Sequence, residues 1–369
     1  MIRLEGLTKV FPNGQVAVDH LDLEVAEGEL CVLVGPSGCG KTTTMKMVNR
    51  LVEPTEGRIV LDGRDVTHGD PVELRRRIGY VIQQVGLFPH QTIADNVATV
   101  PKLLGWDKQK VKARVDELLE LVGLAPDTYA RRYPHQLSGG QRQRVGVARA
   151  LGADPPVLLM DEPFGAIDPI TRERLQEEFL RLQREVRKTI VFVTHDIEEA
   201  VRMGDRIAIL KEGGVLAQYD TPAAILGRPA SPFVADFVGS DRGLKRLSVT
   251  TISVGDLDRP PVVNLDDSLH VARGRMQSEG ADWALVLDAD ERLHGYLGAA
   301  AAQGDGAVRS HARRMEAWVP VDATLKQAFG EMLKHDAGWV AVLDGDRYVG
   351  VLTPDSLHAA LRRSVAEET

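Results

Sequence analysis

A glycine-rich loop, GPSGCGKT at Gly35–Thr42, decides more about the fold of this 369-residue chain than any other stretch. It follows the apolar run ELCVLVG, which predicts a buried strand, and it precedes a stretch from Lys41 that predicts a helix. A strand, a loop of the pattern G-x-x-x-x-G-K-[ST] and a helix form a cradle whose backbone N–H groups surround phosphates. The sequence therefore predicts a nucleotide site within an α/β domain.

The residues of this loop have separate predicted roles. Glycines let the backbone close around the phosphates, Lys41 bridges the β- and γ-phosphates, and the Thr42 hydroxyl takes a Mg²⁺ position. A bulky reagent on the Cys39 thiol would block nucleotide binding, unless this residue is too buried to react. The predicted nucleotide-binding residues of the loop are Gly35, Pro36, Ser37, Gly38, Cys39, Gly40, Lys41, Thr42 and Thr43.

Two more buried strands are predicted to end in polar residues that suit phosphate chemistry. Asp161 closes the run VLLMD, where a carboxylate can hold Mg²⁺ through water, and Glu162 follows as a base for the attacking water. His195 ends the run IVFVTH, within reach of the γ-phosphate, although a lone histidine there is more often structural. IRLEGLTKVF, QVAVDHLDLEV and GRIVLDGRDV predict antiparallel strands, and RIAILKEGGVLAQYD predicts a hairpin that turns at Gly213 and Gly214.

A second pair of glycines lies in LSGGQRQRV, Leu137–Val145, where another helix is predicted to begin. Bare N–H groups at a helix start bind anions, whereas Ser138 is also a good helix N-cap. Because Gly35–Thr42 already supplies a phosphate cradle, this second one needs a separate explanation.

Composition restricts the class of protein. The net charge of −8 argues against nucleic acid as a partner, and 43% hydrophobic with 27% charged residues is ordinary for a globular protein. No apolar run approaches the ~20 residues that span a bilayer, and MIRLEGLTKVF lacks a signal-peptide core. Two cysteines, Cys31 and Cys39, fit a reducing cytosol. We expect a cytosolic protein that reaches any membrane through a partner.

The last third of the chain contains an internal repeat. Val262–Gly295 resembles Trp318–Gly350, with matched leucines, methionines and tryptophans 56 positions apart (325 − 269, 332 − 276 and 339 − 283). Each copy predicts an amphipathic helix, an apolar strand that ends near Asp, a turn and a short strand. Two such copies are expected to pack on each other, since neither buries its apolar face alone.

Six ordered motifs resemble the nucleotide-binding subunits of ABC transporters: GPSGCGKTT, VIQQVGLFPH, LSGGQRQRV, LLMDEP, FGAID and VTHD. The resemblance implies an α/β P-loop NTPase domain over residues 1–240, with a mixed sheet and a helical subdomain, that hydrolyses ATP with Mg²⁺. It also implies that Phe11 stacks on adenine, that Gln83 contacts Mg²⁺ and the water, and that Asp168 lies at a dimer contact. In this family Ser138, Gly139, Gly140 and Gln141 face the γ-phosphate bound by the partner subunit, so a homodimer closes head-to-tail around two nucleotides.

The resemblance also restricts which process ATP hydrolysis by this chain is expected to drive. Repair ATPases carry long coiled coils between the phosphate loop and the second glycine pair, whereas Lys41 and Ser138 are only 97 positions apart here (138 − 41). Translation factors usually carry two such domains in one chain. Exporters commonly fuse membrane helices to the ATPase domain. The chain closely resembles ATPase subunits of glycine betaine, choline and carnitine importers. It would then lie on the cytoplasmic face of the inner membrane with permease subunits and an extracytoplasmic substrate-binding protein. Importers of other amines or amino acids, and a soluble regulatory ATPase, remain alternatives.

Two further regions are assigned through this resemblance. Leu87, Phe88 and Trp106 either form a groove for a permease helix or belong to the core of a small helical subdomain. The repeat resembles an α+β tandem pair of CBS domains, at 248–305 and 310–369, which would sense ionic strength or a nucleotide effector. Its second copy has Thr353 but Ser356 in the usual Asp position, so tight AMP binding is not expected.

Overall fold

The computed structural model describes residues 1–82, 86–165 and 167–366. The chain divides into two compact units, the first made of 1–225 and 229–239, and the second of 226–228 and the residues from 240 onward. In the described part of the chain, no helix has both the length and the apolar character that crossing a membrane requires.

The described residues of the first unit form ten strands in two sheets. A four-stranded antiparallel sheet has the order β2-β1-β4-β5, and a six-stranded sheet has the order β10-β9-β3-β8-β7-β6. All neighbours in the second sheet are parallel except β10, which is antiparallel to β9. The strands are β1 Ile2–Val10, β2 Val16–Val25, β3 Leu30–Val34, β4 Glu56–Leu61, β5 Arg64–Asp65, β6 Ile78–Val81, β7 Val157–Asp161, β8 Thr189–Val193, β9 Arg206–Leu210 and β10 Leu216–Asp220.

Burial explains why the apolar runs form the centre of the parallel sheet. Every residue of β3 and β8 is buried, as expected for strands of a sheet that is covered on both faces. The predicted antiparallel strands correspond to β1, β2 and β4, and the predicted hairpin is β9–β10, which turns at Gly213 and Gly214. These sequence predictions are confirmed.

Eleven helices are assigned from residue 41 to residue 238 in the described part of the chain. Several begin at side-chain caps, including Asp168 for α8 and Asp196 for α9, as helix-start chemistry predicts. They are α1 Lys41–Val48, α2 Pro71–Arg76, α3 Ile93–Val97, α4 Thr99–Leu103, α5 Lys108–Leu121, α6 Pro126–Tyr129, α7 Gly139–Ala150, α8 Pro169–Val186, α9 Ile197–Met203, α10 Pro222–Gly227 and α11 Pro232–Val238.

The second unit shows the predicted duplication. Each copy contains a short strand parallel to the next strand, a helix, and an antiparallel strand pair. The elements are α12 Arg242–Leu247, β11 Val262–Asn264, α13 Leu269–Glu279, β12 Trp283–Leu287, β13 Leu293–Gly298, β14 Arg313–Arg314, β15 Trp318–Pro320, α14 Leu325–Lys334, β16 Val340–Asp344, β17 Arg347–Leu352 and α15 Pro354–Ala366.

Equivalent tryptophans of the two copies meet face to face. The rings of Trp283 and Trp339 stack with centroids 4.4 Å apart and planes inclined by 8°, and Tyr296 meets Trp339 edge-on. Contact between equivalent residues places an approximate two-fold axis between them, as in an isologous dimer interface. The two copies therefore pack on each other, as the sequence predicts.

The start of the second unit packs with the second copy. Leu247 and Ile252 join the core that contains Leu325, and the Ile252 N–H donates to the Ala323 carbonyl at 3.0 Å. The first copy is expected to begin at residue 248. Ile252, just after that boundary, instead belongs to the hydrophobic core of the second copy.

Candidate nucleotide site

The glycine-rich loop requires glycine at its crowded end. Helix α1 begins at Lys41, and its N-cap Gly40 has a φ of 102°, in the left-handed region. A Cβ on Gly40 would lie 2.3 Å from the carbonyl oxygen of Ala17 on β2. A side chain here would disrupt both the loop and its packing on the neighbouring sheet.

Lys41 is a buried cation whose hydrogen-bond acceptors in the described part of the chain are uncharged. Its side chain is 6% exposed, and Nζ donates to the carbonyls of Gly35 at 2.7 Å and Pro36 at 2.9 Å. No Asp or Glu forms an ion pair with Lys41 in the described part of the chain. Because a buried ammonium is costly without an opposite charge, this geometry suits an incoming anion such as phosphate.

Thr42 and Asp161 are close together, although 119 residues separate them in sequence. The Thr42 hydroxyl donates to Asp161 Oδ1 at 3.2 Å, at the end of β7 next to the loop. Burial raises the pKa of Asp161, and the hydrogen bond from Thr42 partly opposes that rise. A hydroxyl and a carboxylate are the oxygen donors that Mg²⁺ takes in phosphate sites, so these two residues fit this metal.

Glu162 and His195 meet at the ends of neighbouring parallel strands. Glu162 Oε1 lies 3.2 Å from His195 Nδ1, and the imidazole is 61% exposed. The backbone of Glu162 has a φ of 44°, and its N–H donates to the Val193 carbonyl on β8 at 3.0 Å. Left-handed backbone in a residue other than glycine is costly and concentrates at functional sites, so this position fits a chemical role.

A buried polar network next to this pair was not predicted from the sequence. Glu199 on α9 is buried and accepts a hydrogen bond from Gln176 Nε2 at 2.8 Å, and burial raises the pKa of its carboxyl group. Arg172 Nη2 donates to the Ile167 carbonyl at 2.9 Å, just before Asp168. The acidic pair Glu198 and Glu199 in the sequence gives no sign of which one is buried.

The second glycine pair begins a helix, and its serine is a cap. Ser138 Oγ accepts from the Gln141 N–H at 3.2 Å, while Gln141 Oε1 accepts from the Ser138 N–H at 2.9 Å. The N-cap interpretation of Ser138 is therefore confirmed. The space beside Gly139 is open, because a Cβ built there would lie more than 4 Å from the atoms of other described residues. Packing within the described chain therefore does not require glycine at this position.

The sequence predicts two further nucleotide contacts, Phe11 and Asp168, whose local contacts the structure describes. Phe11 lies in the turn between β1 and β2, with Lys9 Nζ 5.5 Å from its ring centroid, on the same hairpin whose Ala17 touches Gly40. Asp168 caps α8, and the Thr171 N–H holds the pKa of its carboxyl group below its usual range. Gln83 lies outside the described residues.

The expected permease-facing segment is mixed in exposure. Phe88 is 40% exposed, whereas Leu87 and Trp106 are only partly exposed, and Lys110 Nζ lies 4.0 Å from the Trp106 ring centroid. Leu103 and Leu104, which the sequence did not single out, are also exposed at the end of α4. Phe88 thus favours the groove alternative, and Trp106 favours the packing alternative.

In the second unit, Thr353 and Ser356 bond to each other at the start of α15. The Thr353 N–H donates to Ser356 Oγ at 2.8 Å, and the Thr353 hydroxyl donates to Asp258 Oδ2 at 2.8 Å. Asp258 precedes the repeated segment that begins at Val262 and lies 95 positions from Thr353, so sequence spacing could not identify it as this partner. Both hydroxyls therefore have partners within the unit.

Both cysteines are expected to resist labelling by a thiol reagent in the native protein. Of the two alternatives for Cys39, burial therefore favours the one in which the thiol is too buried to react. Cys39 is 1% exposed, and burial raises the pKa of the Cys31 thiol to about 12. Mass spectrometry after treatment with a bulky maleimide should show labelling only in denaturant. Modification of native Cys39 that saturating MgATP prevents would contradict this expectation.

The loop with its buried lysine, the Thr42–Asp161 pair and the parallel sheet define a P-loop nucleotide-hydrolysing domain. An ABC transporter family model matches residues 18–165, and a CBS domain model matches residues 308–363. Among solved structures, the ATP-binding cassette MJ0796, a dimer bound to ADP and Pi, is 36% identical with a TM-score of 0.53, covering 60% of this chain and 99% of that one.

Curated relatives match almost the whole chain. The glycine betaine/carnitine/choline transport ATP-binding protein OpuCA of Bacillus subtilis is 47% identical, covering 97% of this chain and 95% of its own length. The osmoprotectant import ATP-binding protein OsmV of Salmonella typhimurium is 46% identical, covering 96% and 94%. The chain belongs to this family of ABC transporter ATP-binding proteins, and its enzymatic class is ATPase.

Proposed function

We propose that this chain is the ATP-hydrolysing subunit of an importer for quaternary amines of the glycine betaine, carnitine and choline class. The observation that carries the proposal is 47% identity over 363 residues to a relative with that name, spanning both units. An importer of another amine or amino acid is the alternative, because the ATPase subunit itself does not contact the cargo.

The site's residues supply the parts of a phosphoryl-transfer reaction to water. Lys41 and the loop N–H groups bind and orient the phosphates. Thr42 and Asp161 would hold Mg²⁺, which would neutralise charge on the phosphates when bound. Glu162 accepts a proton from the attacking water, and His195, 3.2 Å from it, orients that carboxylate and the γ-phosphate. Gln83 is proposed as a further contact to Mg²⁺ and water, and Phe11 as the adenine contact.

Two copies complete each site in this proposal. The open surroundings of Gly139 support it, because the glycine leaves room for a phosphate brought by a partner subunit. Ser138, Gly140 and Gln141 lie at the same helix start, whose N–H groups favour an anion. Asp168 is proposed to lie at the contact between the two chains.

The remaining partners follow from the importer proposal. The chain would dock on integral-membrane permease subunits at the cytoplasmic face, with an extracytoplasmic binding protein that delivers cargo. Phe88, Leu103 and Leu104 are exposed apolar residues that suit a permease helix. Residues 1–240 are proposed as the ATPase domain, and 248–305 and 310–369 as the two CBS domains.

Uptake by the assembled transporter tests the cargo class. The chain is co-expressed with its permease and binding protein in cells that lack betaine uptake, and entry of radiolabelled glycine betaine, carnitine and choline is measured. We expect accumulation of at least one, and none with Glu162→Gln. Uptake of only an unrelated amino acid would support the alternative importer. Failure to co-purify with a multi-span membrane protein would instead support a soluble regulatory ATPase.

Deleting the second unit is expected to remove regulation and to leave catalysis. A chain ending at residue 239 retains every proposed contact to ATP, so its hydrolysis rate should stay within about twofold of the full chain. Transport by the complex should lose its dependence on ionic strength or on a nucleotide effector. Loss of ATPase activity in the truncated chain would show that the second unit is structural, and the regulatory proposal would fail.

A further inference from the structure

Glu199 on α9 is a buried acidic residue to which the proposed reaction gives no role. It is 8% exposed, and glutamate is rarely buried without specific partners. Burial raises the pKa of its carboxyl group, and hydrogen bonds from Thr194 and Gln176 oppose that rise. Gln176 Nε2, on α8, donates to Glu199 Oε1 at 2.8 Å. Two polar partners from different elements therefore bond to this one carboxyl group.

The first partner lies beside the site histidine. Thr194 is buried, follows β8 and directly precedes His195. Its hydroxyl accepts from the Asp196 N–H at 3.1 Å and donates its own hydrogen to Glu199. The carboxyl group of Glu199 thus restrains the residues on both sides of His195. Because the imidazole itself is exposed, this backbone turn, rather than packing around the ring, determines where the ring lies.

The second partner lies on the helix that Asp168 begins. Gln176 is buried on α8, and one turn before it Arg172 donates Nη2 to the Ile167 carbonyl at 2.9 Å. Asp168, the N-cap of α8, is the next residue after Ile167. The bond from Gln176 to Glu199 therefore holds α9 against the part of α8 that starts at the proposed dimer contact.

These groups and the proposed base surround one small cavity. The cavity has a volume of about 30 Å³, and its lining includes Glu162, Arg172, Thr194, His195 and Glu199. Pockets for organic ligands measure roughly 300–1,000 Å³, so this space admits no nucleotide. Within this cavity Glu199 can affect the reaction only through its neighbours.

We propose that Glu199 is a positioning residue for ATP hydrolysis. It restrains the turn at His195, so that the imidazole stays 3.2 Å from Glu162, and through Gln176 it joins that turn to the start of α8. Displacing catalytic groups by about 1 Å can lower a rate about 100-fold, so such a restraint affects turnover. This inference rests on the proposed roles of Glu162 and His195.

Steady-state ATPase assays on the full-length chain provide the first test. Glu199→Gln keeps the size of the side chain but replaces one acceptor oxygen by an NH₂ group, and we expect kcat to fall at least about tenfold with KM for ATP within about twofold. Thr194→Val removes the other end of one of these bonds and should also lower kcat. The double variant should be no slower than Glu199→Gln alone, because both changes break the same contact. Glu198→Gln, the same change at an exposed position of α9, should leave kcat within about twofold.

NMR separates positioning from a merely structural role. In chains with ¹³C-labelled histidine, the resonance of His195 is assigned by its loss in His195→Ala. It should shift in Glu199→Gln and Thr194→Val, and stay in place in Glu198→Gln. Thermal melting checks that each variant is folded.

Three results would overturn the positioning role: an unchanged kcat in Glu199→Gln, a lower kcat with an unshifted His195 resonance, or rate losses that add in the double variant. Absence of ATPase activity in the unaltered chain would contradict the proposed function instead. The NMR comparison still tests the contact in that case, because it needs no ATP, and an unshifted resonance would then overturn the inference.

Discussion

Glu162→Gln is expected to lower the rate of ATP hydrolysis about 1,000-fold and to leave MgATP affinity within about threefold. The change removes the carboxylate proposed to accept the proton of the attacking water, while the proposed phosphate contacts of Lys41 and Thr42 stay in place. The amide also keeps a group next to His195 Nδ1, which lies 3.2 Å from Glu162 Oε1. Single-turnover hydrolysis and equilibrium nucleotide titration separate the two quantities.

Glu198→Gln is the matched control for this experiment. It makes the same chemical change on an exposed residue of α9, three positions from His195, and its hydrolysis rate should stay within about twofold of the original. If Glu162→Gln also hydrolyses ATP at the original rate, Glu162 is not the base.

Lys41→Ala is expected to weaken MgATP binding by at least ~100-fold, because charge-assisted hydrogen bonds to two phosphates are lost. In the nucleotide-free chain the ammonium of Lys41 donates to the carbonyls of Gly35 and Pro36. Binding to the nucleotide therefore costs it only hydrogen bonds to uncharged groups. Equilibrium titration with a fluorescent ATP analogue measures the loss.

Lys46→Ala provides the comparison for the lysine. Lys46 lies on the same helix α1 but is exposed, so its replacement should change affinity less than about threefold. Tight binding by Lys41→Ala would show that the cradle does not depend on this charge.

The elements around the nucleotide could be predicted because local patterns determine them. Predominantly apolar runs predict β3, β7 and β8, and the glycine-rich loop predicts the start of α1 at Lys41. The proximity of Thr42 and Asp161 also follows, since the carboxyl ends of the parallel strands β3 and β7, with β8 between them, face the same edge of one sheet.

Other features depend on long-range packing that a single sequence does not reveal. Asp258 bonds to Thr353 across 95 positions, and Leu247 joins the core of the second copy rather than the first. The burial of Glu199 likewise arises from tertiary contacts, since glutamate is mostly an exposed residue type. Local propensity carries no information about such pairs.

Sedimentation of the Glu162→Gln chain tests the central claim, that two chains share each ATP site. With MgATP this variant should sediment as a dimer, and with MgADP as a monomer, because only the γ-phosphate bridges Lys41 of one chain and Ser138–Gln141 of its partner. Adding Gly139→Arg should keep it monomeric while preserving the fold, since no described atom lies within 4 Å of a Cβ there. A monomer with MgATP, or an unchanged dimer with Gly139→Arg, would contradict the account.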